Sequence, residues 1–313
     1  MNEHKITENQ VLLGELISSA HDMSYISQFL LKMKNDYLSI YNNFNFRLVV
    51  TDWSWAMIHS IVEQINRQDI HEYAQFIFDF AKGDSEINQN KSYIILCASH
   101  VMKNVADHLR KLKFSEFIHK YACFCFSLML NSTHLVHSSE IFRLICIVFL
   151  SKNKTKFVVE SINEISKLLA ERPDYDLIEK TINKDFKSFN TCEEEENNSS
   201  ISSNGSNESE TDNSSDEEEE NKIKVQAKRL TSIKGLPPFT DHYRKIKEKV
   251  ENDLKEDDST DSPENDYYMP EFIDFLLEKM LPYAFLWSGF VLRGTGLTRL
   301  KNVYLFLMRL ETQ

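Results

Sequence analysis

A long acidic tract divides the apolar part of this 313-residue chain into two unequal stretches. Residues 193–221 carry twelve Asp and Glu and no Lys or Arg, together with many Ser and Asn. Such a segment cannot bury enough apolar surface to offset the entropy lost on ordering its backbone, so we expect it to be disordered. The fold must therefore be built from the residues before this tract and the residues after it.

The formal net charge of −12 is concentrated in the same tract. Removing its twelve acidic residues from the total of 48 leaves 36, which equals the number of Lys and Arg. The remainder is therefore roughly neutral, and the total indicates neither a strongly basic nucleic-acid surface nor a generally acidic protein.

Composition favours a mainly helical α+β fold, because Gly (7) and Pro (6) are scarce while 42% of the residues are hydrophobic. The five cysteines are odd in number and follow a polar N-terminus without a secretory leader, which favours a reducing compartment. The apolar stretches are interrupted well short of the ~20 residues that span a bilayer. We expect an intracellular protein of the nucleus or cytoplasm, without a membrane partner.

A single carboxylate stands where an apolar strand gives way to a helix. The run Leu48–Val50 reads as a short strand, and apolar spacings of three and four predict a helix over about 54–67. Asp52 lies between them, at a place where catalytic or metal-binding acids occur in α/β sheets. The alternative is that Asp52 only caps the helix, with Ser54 as the closer N-cap candidate.

A second apolar strand, Tyr93–Leu96, runs directly into Cys97-Ala-Ser-His100. As half of a zinc site, Cys97 and His100 would need two further ligands at suitable spacing. Two further pairs exist downstream, Cys123-x-Cys125 and His134-x-x-His137, but neither has finger-like spacing. The alternative is a buried Cys beside a hydrogen-bonded His; a catalytic Cys97 would lack the Gly-rich context of thiol hydrolases.

Several motifs occur in an order that resembles the catalytic region of Mutator-like (MULE) transposases and of proteins derived from them. They are Glu15–Ser19, Ile26–Leu30, Val49–Trp55, Cys97–His100 with Met102 and Lys103, Leu281–Gly289, and Thr298 with Arg299. The resemblance covers most of residues 10–303, and its most specific pieces are the Val-Thr-Asp strand and the Cys-x-x-His after it.

The resemblance implies an RNase H-like fold, in which a mixed sheet is flanked by helices and carries an all-helical insertion. In that family three acidic residues hold two Mg²⁺ or Mn²⁺ ions that activate water and then a DNA 3′ end. Asp52 is similar to the second acid, and Cys97 and His100 to the family's Cys-x-x-His, beside the active site or fixing the insertion. The implied parts are a partial core over 1–100, a helical insertion over 101–190, a disordered acidic loop over 191–222, a linker with a helix over 223–266, and a helical return to the core over 267–313.

The departures from the family pattern predict an inactive protein. The first acid belongs to a hairpin upstream of the first helix, and the chain begins at Met1, roughly at that helix. The third acid, a Glu, should follow Thr298 and Arg299, but the alignment places Phe306 there, and the offset of Glu311 is wrong. We therefore expect no enzyme activity, no bound cofactor and no small-molecule substrate, with DNA or a protein as the remaining partner.

A second interpretation is a helical protein-interaction module with a regulated acidic tether. Ser214 and Ser215 precede Asp216–Glu220, which is the pattern that an acid-directed kinase prefers. Phosphorylation there would deepen the negative charge of the tract.

Overall fold

A computed structural model describes residues 23–41, 48–84, 88, 91–171, 238–256 and 262–294. Within these ranges the chain is mainly helical, with one sheet of two parallel strands, β1 (Leu48–Thr51) and β2 (Tyr93–Leu96). The helices are α1 Met23–Tyr41, α2 Trp55–Ile61, α3 Ile70–Lys82, α4 Ala98–Arg110, α5 Glu116–Leu130, α6 Leu135–Leu150, α7 Lys156–Ala170, α8 Pro238–Glu256, α9 Pro270–Phe275, α10 Ala284–Trp287 and α11 Phe290–Gly294.

The predicted α+β class, mainly helical, is confirmed for the described residues, whereas two parallel strands do not establish a mixed RNase H-like sheet. The acidic tract lies outside the described residues. So do the predicted first helical turns before Met23, together with Cys192. Four cysteines are described, all of them buried and none of them in a disulfide bond: Cys97, Cys123, Cys125 and Cys146.

The two strands pair in register from Leu48 opposite Tyr93 to Thr51 opposite Leu96. Parallel strands need a crossover connection, which α2, α3 and the π-helical turn Val62–Asn66 supply. A capping box between Asp69 and Glu72 starts α3, and Gly83 ends it with a φ of 90°, a conformation that glycine adopts without strain. All four side chains of β2 are buried, whereas those of β1 are only partly covered.

The C-terminal helical segment covers β2. Helices α10 and α11 both pack against that strand. Trp287 is buried, donates its Nε1 proton to the Met280 carbonyl at 2.7 Å, and lies 4.9 Å from the Phe126 ring of α5. The segment Pro270–Leu292 is the one helical stretch in the described part of the chain that is long and apolar enough to cross a membrane. Since 67% of its apolar window is buried inside the fold, it is weak evidence for a membrane span.

Helix α8 belongs to the core, although it lies in the range predicted as a linker with a helix. It packs against α6 and α3. Phe239 and Tyr243 have no exposed surface, and the Tyr243 hydroxyl lies 2.7 Å from Ser138 Oγ. His242 Nε2 makes a second contact with α6, at 2.7 Å from Ser139 Oγ. The described part of this range therefore holds α6 in place.

Asn265 joins the turn before α9 to the end of α6. Its Nδ2 donates to the carbonyl oxygens of Val148 and Ser151 at 2.8 and 2.7 Å, and its Oδ1 accepts from the Tyr267 N–H at 3.1 Å. The side chain is buried, so water cannot easily replace these bonds.

Replacing Asn265 by Ala should therefore destabilise the protein. A buried group left without a partner costs about 1–3 kcal/mol, so we expect a loss of at least about 2 kcal/mol, measured by chemical denaturation. Asn252→Ala, at an exposed position of α8, is the matched control and should change stability little. Equal effects of the two substitutions would contradict the role given to Asn265.

His108 of α4 stacks on Phe275 of α9, with 3.8 Å between ring centroids and 9° between ring planes. Burial lowers the pKa of His108, and the nearby charges of Lys111 and Lys279 lower it further. The folded state therefore resists protonation of this ring more than the unfolded state does.

Stability should fall as the pH drops below about 6.5, the ordinary pKa of histidine, because the unfolded state then binds more protons. Three other histidines with pKa values lowered by burial act in the same direction: His59, His119 and His242. His108→Gln should reduce the loss of melting temperature between pH 7.5 and 5.5. A loss in His108→Gln that equals or exceeds the loss in the parent chain would refute the assignment.

Candidate functional site

Asp52 and Cys97 lie side by side at the carboxyl edge of the sheet. The Cys97 N–H donates to the Thr51 carbonyl at 2.8 Å, which continues the parallel pairing by one residue beyond β2. The carboxyl ends of parallel strands meet at one edge, and loops leaving that edge can present side chains to a ligand. The structure thus brings together two motifs that are separate in the sequence.

The exposed carboxylate of Asp52 does not cap α2. Ser54 is the N-cap residue, and its Oγ accepts a hydrogen bond from the Met57 N–H at 3.4 Å. Asp52 instead accepts a long hydrogen bond, 3.4 Å, from the Thr51 hydroxyl. The prediction of Ser54 as the closer cap candidate is therefore confirmed, and the carboxylate of Asp52 has no part in holding the helix.

Cys97 and His100 differ in their burial. Cys97 is the N-cap residue of α4, is buried, and places its Sγ 3.1 Å from the Ser99 hydroxyl. His100 is exposed one turn later. The expected buried Cys is therefore found, whereas the imidazole is at the surface.

The other pairs of possible zinc ligands lie elsewhere. Cys123 and Cys125 are buried within α5, and His134 and His137 are exposed at the start of α6. Over the ranges that the structure describes, no group of three or more His, Cys, Asp or Glu is arranged to hold a metal ion.

Aromatic side chains fix the loop that carries Asp52. Tyr283, in the turn that precedes α10, lies 5.9 Å from the Trp53 ring and 5.1 Å from the Trp55 ring, both edge-on. Burial raises the pKa of the Tyr283 phenol, which keeps the hydroxyl neutral. Edge-to-face pairs of this kind stabilise by about 0.5–1.5 kcal/mol each beyond the area they bury. The C-terminal segment therefore holds the strand-to-helix turn in place.

Sequence reasoning missed this aromatic cluster. The spacing Trp53-Ser-Trp55 could have drawn attention to one half of it, but Tyr283 lies far away in the chain and no local pattern connects them. The positions discussed for the third acid, from Thr298 to Glu311, lie outside the described residues, and so do Ser214 and Ser215.

The arrangement presents one exposed carboxylate and one exposed imidazole near the start of α4. The first turn of α4 directs backbone N–H groups toward the same edge, which favours an anionic group there. Asp52 is a single carboxylate, whereas a two-metal centre for phosphodiester chemistry is held by several carboxylates.

Comparisons of the chain with protein-family models, with curated proteins and with solved structures gave no match. The resemblance to Mutator-like transposases therefore rests on the order and spacing of the motifs alone.

Two substitutions separate the roles of Asp52 and Ser54. Ser54→Ala removes the N-cap acceptor and should cost about 1 kcal/mol of stability, the usual loss for such a cap. Asp52→Ala should change stability by less than about 0.5 kcal/mol, because Asp52 is exposed and its hydrogen bond from Thr51 is long and also exposed. Thermal denaturation of both variants measures this, and a larger loss in Asp52→Ala would show that the carboxylate is structural.

Proposed function

We propose that this chain is a transposase-derived protein, a catalytically inactive remnant of a DDE-type DNA transposase whose remaining role is to bind nucleic acid or protein. The observation that carries the proposal is the position of Asp52 beside Cys97 at the carboxyl edge of two parallel strands. An RNase H-like fold would place its second acid at such an edge, with the Cys-x-x-His after the neighbouring strand.

The return of the C-terminal segment to the sheet also supports the proposal. The motif Leu281–Gly289 belongs to the resemblance, and α10 and α11 pack against β2 although α4 to α9 intervene in the chain. This is the chain path expected of an RNase H-like core interrupted by a helical insertion.

We propose that the protein is inactive because the family's third acid is replaced in this chain. Phe306 stands where the family pattern has a Glu, and a phenyl ring cannot ligate a divalent cation. Loss of one carboxylate ligand from a two-metal site removes charge that both ions need for their positions.

Purified full-length protein should not nick or join a DNA substrate that carries terminal inverted repeats, in Mg²⁺ or in Mn²⁺. Product formation is measured on denaturing gels, with Asp52→Ala and Asp84→Ala tested in parallel; Asp84 is an exposed acid at the end of α3. Nicking that depends on the metal and is lost in Asp52→Ala but not in Asp84→Ala would overturn the proposed inactivity.

A groove between α6 and α7 favours the second candidate, a helical interaction module. The groove has a volume of about 410 Å³. Its charged lining is mostly acidic, with Glu140, Glu160 and Glu164 against the single Arg143, and His137 lies at its edge. Phe157 and Leu168 supply an apolar floor. Such a mixture suits a partner helix with basic and apolar side chains.

A pull-down with the full chain distinguishes the two candidates. Glu160→Lys/Glu164→Lys should lose a partner of the groove, whereas Glu248→Lys, on α8, should keep it. Deletion of residues 193–221, or Ser214→Ala/Ser215→Ala, tests whether the acidic tract regulates the same interaction. Binding that is indifferent to both sets of changes would remove the interaction-module candidate.

A further inference from the structure

Helix α4 presents lysines on the side that faces solvent. Lys103 and Lys111 are both exposed and lie eight residues apart, which places them on the same side of the helix. At 1.5 Å per residue, they are separated by about 12 Å along the helix axis. Lys113, also exposed, follows in the turn after α4. The opposite side of the helix is buried and consists of Ala98, Val101, Met102, Val105, Ala106 and Leu109.

A fourth lysine, Lys279, lies next to the end of α4. The His108 ring stacks on Phe275, four residues before Lys279, with 3.8 Å between ring centroids. Burial lowers the pKa of His108, and the positive charges of Lys111 and Lys279 lower it further, so both ammonium groups are near this ring. Lys279 is exposed. We call Lys103, Lys111, Lys113 and Lys279 together the lysine face of α4.

The lysine face has an excess of positive charge. In the part of the chain that the structure describes, no ion pair includes any of its four lysines. The single acid of α4, Asp107, is 2.5 Å from Arg110, so these two charges cancel. The exposed Glu278 beside Lys279 offsets one of the four positive charges, which leaves three.

Other helices of the described residues balance their cations with an acid three or four residues away. Examples are Lys32 with Asp36, Lys120 with Glu116, Arg143 with Glu140 and Lys247 with Glu251. The unpaired lysines of α4 therefore differ from the usual surface of this protein, and they create a local positive potential on a chain whose charge outside the acidic tract is balanced.

The spacing of the lysines suits phosphate groups along a nucleic-acid strand. One strand of a duplex carries a phosphate about every 3.4 Å of helix axis, so the distance from Lys103 to Lys111 spans about three or four nucleotides. An anionic membrane would also attract lysines, but a helix on a membrane surface inserts large apolar side chains. None of the exposed large hydrophobic side chains of the described residues lies on α4.

We propose that the lysine face of α4 binds the phosphate backbone of nucleic acid, without regard to base sequence. The inference rests on the nucleic-acid branch of the proposed function, and it names the surface that makes the contact. Ammonium groups donate charge-assisted hydrogen bonds to phosphate oxygens, and the release of condensed counterions favours binding. This contact needs neither a bound metal nor the carboxylate of Asp52.

Fluorescence anisotropy of the full chain with a labelled DNA duplex, from about 50 to 200 mM salt, tests the proposal. Lys103→Gln/Lys111→Gln/Lys113→Gln removes three positive charges. Its affinity should fall at least about tenfold at the low-salt end. The slope of log association constant against log salt should become shallower by about 2 to 3, because each phosphate contact contributes about 0.9.

The matched control is Lys167→Gln/Lys245→Gln/Lys249→Gln. It removes the same net charge from exposed positions of α7 and α8, outside the lysine face. Its affinity and salt slope should stay near those of the parent, and both triple variants should keep the parent's circular dichroism and melting temperature.

Lysine acetylation of the parent protein, read by mass spectrometry, gives a second measurement that needs no variant. Bound duplex should protect Lys103, Lys111 and Lys113 from acetylation and leave Lys167 as reactive as in the free protein. If the triple variant of the lysine face does not fold, this protection pattern decides.

The outcomes separate the inference from the proposed function. A parent that binds DNA equally well after either triple substitution, or whose binding both substitutions weaken equally, overturns the inference and leaves nucleic-acid binding to another surface. A parent that binds neither duplex nor single-stranded DNA overturns the inference and the nucleic-acid branch together. Preferred binding to phosphatidylcholine–phosphatidylserine vesicles, lost in the lysine-face variant, would assign this face to a membrane and also contradict the inference.

Discussion

Burial of β2 is the constraint on which the rest of the structure depends. A parallel pair of strands has apolar side chains on both faces, so both faces must be covered. Here α3 contributes Tyr73 to the edge of the strand, and the C-terminal helices α10 and α11 cover the strand itself. The chain leaves the sheet after β2 to form α4 and the helices that follow, and it returns to the same strand at α10 and α11.

The elements near the sheet were predictable because their signals are local. Short β-branched runs next to helical periodicity predicted both strands within one residue, and Ser54 was recognisable as a cap from its position before the apolar run. The packing of α8 against the core was not predictable from the sequence. Its range carries many charges, and its buried apolar residues, Phe239, Tyr243 and Val250, are too sparse to outweigh the polar composition. The contact of Tyr283 with Trp53 was equally unpredictable, because it joins distant parts of the chain and depends on the return of the C-terminal segment to the sheet.

The candidate site contains two residues that the local sequence did not connect. Asp52 and Cys97 each had an ordinary structural explanation when considered alone. The register of the strands makes them neighbours. Ser54 caps α2, so the carboxylate of Asp52 does not hold that helix. The neighbour relation was implied by the family resemblance and not by either motif. The positions that the resemblance assigns to a third acid follow Gly294 and lie outside the residues that the structure describes.

The bonds of Asn66 to the Ser92 backbone and of the Tyr73 hydroxyl to the Ile94 N–H also set a limit on assembly. A sheet with two open edges can add strands at both, and copies of it can grow into fibres without end. Hydrogen bonds from Asn66 and to Tyr73 close the outer edge of β2, so this edge offers no template for a further strand. The same side chains that complete the fold of one molecule would thus make any strand-mediated association finite.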